Sequence, residues 1–166
     1  NPIPEIEYAH AKSIRPDVIV ATGLSNHPNQ INNVLVFPYL FRGALDTLST
    51  TINDKMLIAA AYSIAALARK ETPKEVEERY KRKLSFGREY LLPTPGDPRL
   101  ITEVSMAVAK AAMESGVARR KIVSFKEYAE SLLQRIDNEN YFARERIHHK
   151  NTRRMNVNNS SREHEF

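Results

Sequence analysis

The chain has 166 residues, with 25 Lys and Arg against 20 Asp and Glu, and it contains no cysteine. This length suits one domain with a hydrophobic core and is too short for two large ones. The absence of cysteine excludes disulfides, thiolate metal sites and a Cys nucleophile. No run approaches the roughly 20 apolar residues of a membrane span, and no signal sequence opens the chain. We therefore expect a cytoplasmic protein without membrane contacts.

The formal net charge of +5 raises the question of nucleic-acid binding. The basic residues are not gathered into one stripe, because residues 70–83 mix both signs and further Lys and Arg recur through the tail. A basic balance without a binding motif is more often a solubility feature, so nucleic-acid binding is not favoured. If the tail did bind nucleic acid, its affinity would fall steeply with salt.

The opening of the chain is expected to be extended, because Pro2 and Pro4 disfavour helix in the residue before each of them. A short helix is predicted over residues 5–13. The segment "RPDVIVATG" then places a continuous apolar run between turn residues, a pattern typical of a strand buried on both faces. The sequence thus predicts one clear buried strand over residues 18–22, followed by a loop over residues 23–30.

Helices are predicted for most of the remaining chain. The first begins between residues 30 and 33 and continues to residue 45, and its apolar residues lie on all sides, which predicts a buried helix. Pro38 would kink this helix or lie in its first turn. The second covers residues 53–70, is capped by Thr51, and carries apolar residues at helical spacing on one face: Met56, Ala60, Ile64 and Leu67.

Three further segments complete the predicted architecture. A charged helix follows Pro73, and after a proline-dense connection Asp97 caps a helix that Gly116 ends. Ser124 and Glu127 form a capping box for a last helix to about residue 137. We assign residues 1–137 to a domain and expect the polar tail, residues 138–166, to be disordered.

Side-chain amides follow the predicted strand, at the edge where open α/β sheets bind ligands. Gly23 would let the backbone approach a ligand closely or adopt a positive φ. Asn32 and Asn33 lie where the next helix begins, and the free N–H groups there attract an anion. An Asn side chain offers both a donor and an acceptor. The alternative is that these asparagines only fill turns and caps.

The other polar residues suggest no catalytic site. His27 is a lone loop histidine that we expect to be solvated, and His148 and His149 lie in the tail, where a metal contact would be adventitious. Tyr80 and Tyr90 are interpreted as core or surface residues. The sequence has no glycine-rich phosphate loop, H-E-x-x-H pattern, elbow serine or carboxylate pair at metal-ligand spacing. We therefore predict neither a catalytic residue nor a metal ligand in this segment.

Six segments occur in an order that is characteristic of one family: "NPIPEI", "RPDVIVATG", "PNQINNVLVFPYLFRGALD", "TTINDKMLIAAAYSIAALA", "FGREYLLPTPGDPRL" and "MAVAKAAMESGVA". Together they resemble the C-terminal NAD(P)-binding part of bacterial malic enzymes over roughly residues 1–123. The resemblance implies an α/β fold: the C-terminal portion of a Rossmann-like NAD(P)-binding domain, mostly helical with one buried strand. It also implies that this chain is a fragment of a longer enzyme.

Malic enzymes oxidise malate by hydride transfer to NAD(P)+ and decarboxylate the resulting oxaloacetate to pyruvate and CO2, with Mg2+ or Mn2+ as a Lewis acid. The resemblance implies that Asn1, Asn32 and Asn33 contact malate, and that Asn1 and Asn32 contact the cofactor. Gly23, from its position after the strand, is expected to contact the cofactor as well. The family's tyrosine acid, lysine base, acidic metal ligands and glycine-rich turn lie upstream of the matched segment. The isolated chain is therefore expected to be inactive, and the choice between NAD and NADP stays open.

The chain departs from the family pattern at three places, which affect loop geometry more than fold. Leu24 replaces an arginine, Asn26 and His27 replace Asp-Tyr, and "PTPGDPRL" replaces "KPFDPRL". Family members usually assemble as dimers or larger, which implies a homo-oligomer. The alternative function is a non-catalytic remnant or helical interaction module whose basic tail contacts acidic surfaces. The reading frame upstream of Asn1 would distinguish the two.

Overall fold

The computed structural model of the chain describes residues 3–136, so Asn1 and the predicted tail lie outside the described residues. The chain divides into two units between Phe125 and Lys126. The described part of the first unit contains these elements in order: α1 (Tyr8–Ile14), a 3-10 turn (Asn33–Leu35), α2 (Phe37–Asp46), α3 (Asp54–Leu67), α4 (Lys74–Tyr80) and α5 (Leu100–Glu114). The described part of the second unit is helical, within a helix over residues 125–136.

Helix α5 is the centre of the first unit, since both α2 and α3 pack against it. The face of α3 predicted from its periodicity is the buried one, with Met56 and Leu67 fully buried. On α5, buried residues recur three and four positions apart, as an amphipathic helix requires. The core formed by these helices contains Leu35, Leu40, Ala44, Met56, Ala60, Ile64, Leu67, Leu100, Val104, Val108, Ala111 and Ala112.

The ends of these helices agree with the sequence in part. Gly116 has a φ of 78° and ends α5 as predicted. The Asp97 carboxylate accepts a hydrogen bond from the Arg99 N–H (3.0 Å), just before α5 becomes regular. The predicted cap of α3, Thr51, is wrong. Asn53 caps the helix by accepting from the Met56 N–H (3.1 Å), and its amide also donates to Ser115 Oγ at 3.0 Å, a link that only the fold creates.

The helix predicted from residues 30–33 to 45 is divided in two. A 3-10 turn precedes α2, and Pro38 lies in the first turn of α2, one of the two positions expected for it. Proline has no N–H for the carbonyl four residues earlier, so a continuous α-helix cannot pass through it unbroken. The prediction that this helix is buried on all sides is wrong, because Phe41 and Leu45 are 48% and 60% exposed.

The strand predicted over residues 18–22 is not confirmed. Among the described residues the only pairing there is an isolated parallel bridge between Thr22 and Gln30, in which the Ile31 N–H donates to Thr22 O at 2.7 Å. Ile19 is 51% exposed instead of buried on both faces. A buried strand needs neighbouring strands, and the described part of the chain contains none.

Other predictions from the sequence have mixed outcomes. The charged helix after Pro73 is confirmed as α4, and a helix lies over residues 125–136 where the last one was predicted. The capping box of Ser124 and Glu127 stays a prediction, as does the boundary at residue 137, which lies outside the described residues. No helix within residues 3–136 is long and apolar enough to cross a membrane.

Gly43 sets the distance between α2 and α5. A Cβ at this position would lie 2.6 Å from the Ser105 carbonyl oxygen and 2.8 Å from Val108 Cβ. Distances below 3.0 Å are not tolerated, and here the nearest neighbour is backbone, which cannot rotate away. The two helices therefore approach as closely as they do only because residue 43 has no side chain.

We predict that Gly43→Ala lowers the free energy of unfolding by about 1–3 kcal/mol, because overpacking forces α2 away from α5. The higher helix propensity of Ala offsets up to about 1 kcal/mol of this loss. Gly87→Ala is the matched control, since its added Cβ would meet only Ser85 O at 3.8 Å. Urea unfolding of both variants measures the difference, and equal stabilities would show that the crossing at Gly43 is not tight.

Candidate functional site

The loop after Thr22 is closed by hydrogen bonds at its two ends. Thr22 Oγ1 accepts from the Leu24 N–H (3.1 Å), and the Gln30 side chain donates to Gly23 O (3.2 Å). Together with the bond from Ile31 to Thr22 O (2.7 Å) these contacts bring residues 22–24 beside residues 30–31. The loop therefore leads directly from the end of the apolar run into the 3-10 turn that precedes α2.

Asn29 is the residue that anchors this loop to the rest of the unit. Its side-chain amide donates to Val20 O (3.0 Å) and Arg88 O (2.7 Å), and its Oδ1 accepts from the Leu91 N–H (2.8 Å). The residue is only 5% exposed and has a φ of 53°, a left-handed conformation that Asn tolerates better than most residues. Asn29 thus joins two segments that lie about sixty positions apart in sequence.

Asn32 and Asn33 lie side by side at the start of the 3-10 turn, and both are exposed. Asn32 Oδ1 accepts from the Val34 N–H (3.0 Å), so this side chain does act as a cap. Its Nδ2 group makes no hydrogen bond within the described part of the chain, and it therefore keeps donors for a ligand. The predicted ligand contacts of both residues stay predictions, and Asn1 lies outside the described residues.

Gly23 lies at a shallow cavity of about 350 Å³, which is lined by residues 3–6 and 20–24. Gly23 does not adopt the positive φ that was one of its two expected roles. The glycines with positive φ are Gly96 and Gly116. Close approach of a ligand to its exposed backbone stays a prediction. The structure does not bring Asn32 or Asn33 into the lining of this cavity.

A second cavity, of about 250 Å³, is lined in part by His27 and Asn29. His27 is half-buried and stacks on Tyr8, with the ring centroids 5.1 Å apart. Tyr90 is buried in a small apolar cluster, which confirms the core role among the two expected for it. This burial raises the pKa of Tyr90. At neutral pH the Tyr90 hydroxyl is therefore protonated and does not serve as a base.

The ion pair of Asp97 and Arg99 has a structural role. Asp97 is almost fully buried, and its carboxylate accepts two bonds from the Arg99 guanidinium (3.0 and 2.7 Å). These hydrogen bonds raise the pKa of Arg99. Arg99 also donates to Glu71 O (2.6 Å), so the pair ties the start of α5 to the segment after α3. Within residues 3–136, no group of three or more His, Asp or Glu is placed to hold a metal ion.

Comparison with known proteins identifies the fold. Residues 13–117 match the family described as "Malic enzyme, NAD binding domain". The NADP-dependent malic enzyme of Rhizobium meliloti is 54% identical over 138 residues, which are 82% of this chain and 18% of that enzyme. An NAD-dependent malic enzyme of the same organism is 50% identical over 133 residues, 80% of this chain and 17% of that enzyme. The solved malic enzyme of Pyrococcus horikoshii superposes with a TM-score of 0.64 at 42% identity, over 83% of this chain and 29% of that one.

These matches show that the chain is part of an NAD-binding domain found in a family of oxidoreductases. Since the family match spans more than half of the residues, the chain belongs to the malic enzyme family. The resemblance stated from sequence is confirmed. The chain spans less than a fifth of the length of the two Rhizobium enzymes.

The sequence patterns drew attention to the exposed Asn32 and Asn33 and gave no role to Asn29, which is buried and makes three side-chain hydrogen bonds. Its partners at Arg88 and Leu91 are remote in sequence, so no local spacing could reveal them. The one local signal is its position after Pro28 in a loop, where Asn often adopts a left-handed conformation.

We predict that Asn29→Ala lowers the free energy of unfolding by roughly 3 kcal/mol or more. The substitution leaves buried backbone groups without partners and places Ala at a left-handed φ. Asn33→Ala is the matched control, because its side chain is exposed and surface changes usually stay within about 0.5 kcal/mol. Chemical unfolding of both variants, with Asn29→Gly to remove the backbone effect, makes the comparison. A loss at Asn29 no larger than that at Asn33 would contradict the anchoring role.

Proposed function

We propose that this chain is the C-terminal part of the cofactor domain of a malic enzyme. The whole enzyme would convert malate to pyruvate and CO2 with reduction of NAD(P)+. The observation that carries this proposal is the exposed pair Asn32–Asn33, held at the end of an anchored loop within a matched NAD-binding domain. The roles of Asn1 and Gly23 at the same ligands belong to the proposal.

The chemistry of the two amides suits a dicarboxylate and a nicotinamide carboxamide. The Asn32 side chain is fixed by its bond to Val34, which orients its Nδ2 donors before any ligand arrives. Asn33 offers both a donor and an acceptor, so it can bind a carboxylate oxygen, a hydroxyl or an amide. Neutral amides hold such groups without changing the charge of the site. These two residues would therefore orient substrate and cofactor and would not transfer protons.

The residues described here do not fit a divalent metal site. Mg2+ and Mn2+ prefer carboxylate and other oxygen ligands, and no cluster of three such residues occurs within residues 3–136. Tyr90 is buried with a raised pKa, so it does not suit proton abstraction. Metal ligands and the acid–base pair would be contributed by other parts of the enzyme.

The proposal extends to the cofactor, assembly and compartment. The relatives include enzymes named NADP-dependent and NAD-dependent at similar identity, so either dinucleotide suits this segment. Assembly as a homo-oligomer and a cytoplasmic location are proposed with the function. The second candidate, a helical interaction module without catalysis, is favoured by one observation: the apolar residues exposed on α2.

We predict that the isolated chain forms no NAD(P)H from malate and Mn2+, because residues 3–136 contain no metal-holding cluster and the proposal assigns the acid–base pair to other parts of the enzyme. A graft tests the complementary expectation. In the graft, the aligned segment of the Rhizobium meliloti NADP-dependent malic enzyme is replaced by that of this chain. The graft is expected to reduce NADP+ with malate. Turnover by the isolated chain, or a folded graft without activity, would contradict the proposal.

In the same graft, Asn33→Ala is expected to lower kcat/KM for malate about 10- to 100-fold, because a hydrogen bond to a charged group is lost. Asn26→Ala, at another exposed loop amide, is the control and should leave kcat/KM unchanged. Initial rates at varied malate provide the measurement. Equal values for the two variants would show that Asn33 does not contact the substrate.

A further inference from the structure

The cavity of about 250 Å³ that is lined in part by His27 and Asn29 has no role in the proposed function. We call it the loop cavity. Its walls come from the loop, from the end of α4 and the chain just after it, and from the connection before α5, within residues 25–30, 80–82 and 89–95. Neither exposed asparagine of the 3-10 turn lines it. Its volume is below the range of drug-sized pockets, so it suits a small metabolite.

The walls of the loop cavity are joined to one another by hydrogen bonds within the chain. Asn29 donates to Arg88 O (2.7 Å) and accepts from the Leu91 N–H (2.8 Å), which links the loop to the connection. The Tyr80 hydroxyl donates to Pro95 O (2.8 Å), which links the end of α4 to the same connection. The cavity is therefore formed before any ligand binds, as is usual for small-molecule sites.

Thr94 lines the loop cavity and has a hydroxyl group without a partner. The residue is 8% exposed, and its Oγ1 makes no hydrogen bond within the described residues. Buried hydroxyls are nearly always hydrogen-bonded, and an unpaired one destabilises the folded chain. Thr94 therefore keeps both a donor and an acceptor for a polar group that enters the cavity.

Two side chains of opposite charge, Arg82 and Glu89, also line the loop cavity. The Arg82 side chain makes no hydrogen bond or ion pair within the described residues, so its guanidinium is available for a carboxylate. Glu89 is oriented by Tyr8, whose hydroxyl donates to Oε1 at 3.2 Å. A carboxylate accepts about four hydrogen bonds, so Glu89 keeps acceptors for a ligand cation.

The electrostatics of Tyr8 show that the two charges lie close together. Burial and the Glu89 carboxylate raise the pKa of Tyr8, whereas Arg82 acts on the same hydroxyl in the opposite direction. A simple anion in the cavity would be attracted by Arg82 and repelled by Glu89, and a simple cation would meet the reverse. A zwitterion matches both side chains, because it carries a positive and a negative group side by side.

We propose that the loop cavity binds a free α-amino acid, with its carboxylate at Arg82, its ammonium group at Glu89 and a further hydrogen bond to the Thr94 hydroxyl. The site goes beyond the proposed function and does not depend on it, because these three residues are not assigned to malate or to the dinucleotide. A ligand there would connect the loop to the connection before α5 a second time, beside Asn29. Its binding is therefore expected to stabilise the folded chain.

Calorimetric titration of the full chain with each of the common L-amino acids tests the proposal. Acetate, inorganic phosphate and methylammonium serve as the simple anions and the simple cation. At least one amino acid is expected to bind about 10-fold or more tightly than these three ions, since each ion meets one favourable and one unfavourable charge. Binding of no amino acid would overturn the proposal, and so would an ion that binds as tightly as the best amino acid.

Charge variants assign the binding to the loop cavity. Arg82→Ala and Glu89→Gln are each expected to raise the Kd of the best amino acid about 10- to 100-fold, because a charge-assisted hydrogen bond is lost. Lys83→Ala and Glu78→Gln are the matched controls, since both residues are charged and neither lines this cavity. The controls should leave the Kd unchanged. An unchanged Kd in Arg82→Ala or Glu89→Gln, or an equal rise in the controls, would overturn the proposal.

Thr94→Val separates a ligand contact from a structural role, because Val keeps the shape of Thr and removes only the hydroxyl. The variant is expected to bind the amino acid more weakly and to unfold at a higher urea concentration without ligand, since an unpaired buried hydroxyl is lost. Lower stability with unchanged affinity would contradict the contact.

The same titrations in the graft provide a second measurement of the site. The difference between the graft and its Arg82→Ala form excludes binding at other sites of the host enzyme, and it is expected to show the same rise in Kd. Equal Kd values for the two forms would overturn the proposal. Binding does not depend on turnover, so an inactive but folded graft refutes the proposed function and still tests the loop cavity.

Discussion

The close crossing of α2 and α5 at Gly43 determines where the other features lie. Helix α2 can bury Leu40 and Ala44 against α5 only because its backbone reaches the Ser105 carbonyl without an intervening Cβ. Once α2 is held there, the 3-10 turn before it and the exposed asparagines on that turn are held as well. The same contact leaves Phe37, Phe41 and Leu45 exposed on the other side of α2. Packing of one helix pair thus fixes the position of both the turn that carries the exposed asparagines and the exposed side of α2.

Two contacts of different kinds hold the loop against this helical core. Asn29 connects it through three hydrogen bonds to buried backbone, whereas Thr22 and Gln30 connect its ends through a single bridge. The first contact is independent of other parts of the enzyme, since its partners all lie within this chain. The bridge between Thr22 and Gln30 resembles the edge of a sheet, whose unpaired backbone groups form further hydrogen bonds only with additional strands. The loop is therefore held firmly at Asn29, whereas at Thr22 and Gln30 the backbone pairing is limited to one bridge.

Features that depend on one helix and its own spacing could be predicted from sequence. Met56 and Leu67 lie on the buried face of α3, and Gly116 ends α5, because helical periodicity and glycine stops are local. Features that depend on a remote partner could not be predicted. The cap at Asn53 is reinforced by Ser115, and the exposure of Ile19, Phe41 and Leu45 depends on which elements pack beside them. Apolar patterning indicates that a surface is to be covered, but not whether its partner is in the same segment.

In the proposed function, Asn32 would both cap the 3-10 turn and contact a ligand. A cap that uses Oδ1 on the Val34 N–H fixes the side-chain torsions before a ligand is present. The entropy cost of ordering that side chain is then met during folding and not during binding. Its remaining donors and the neighbouring Asn33 lie on a turn that the core has already placed. In the proposed function the capping bond and the exposed amides would act together, because a contact group that is already ordered binds its ligand at a lower entropy cost.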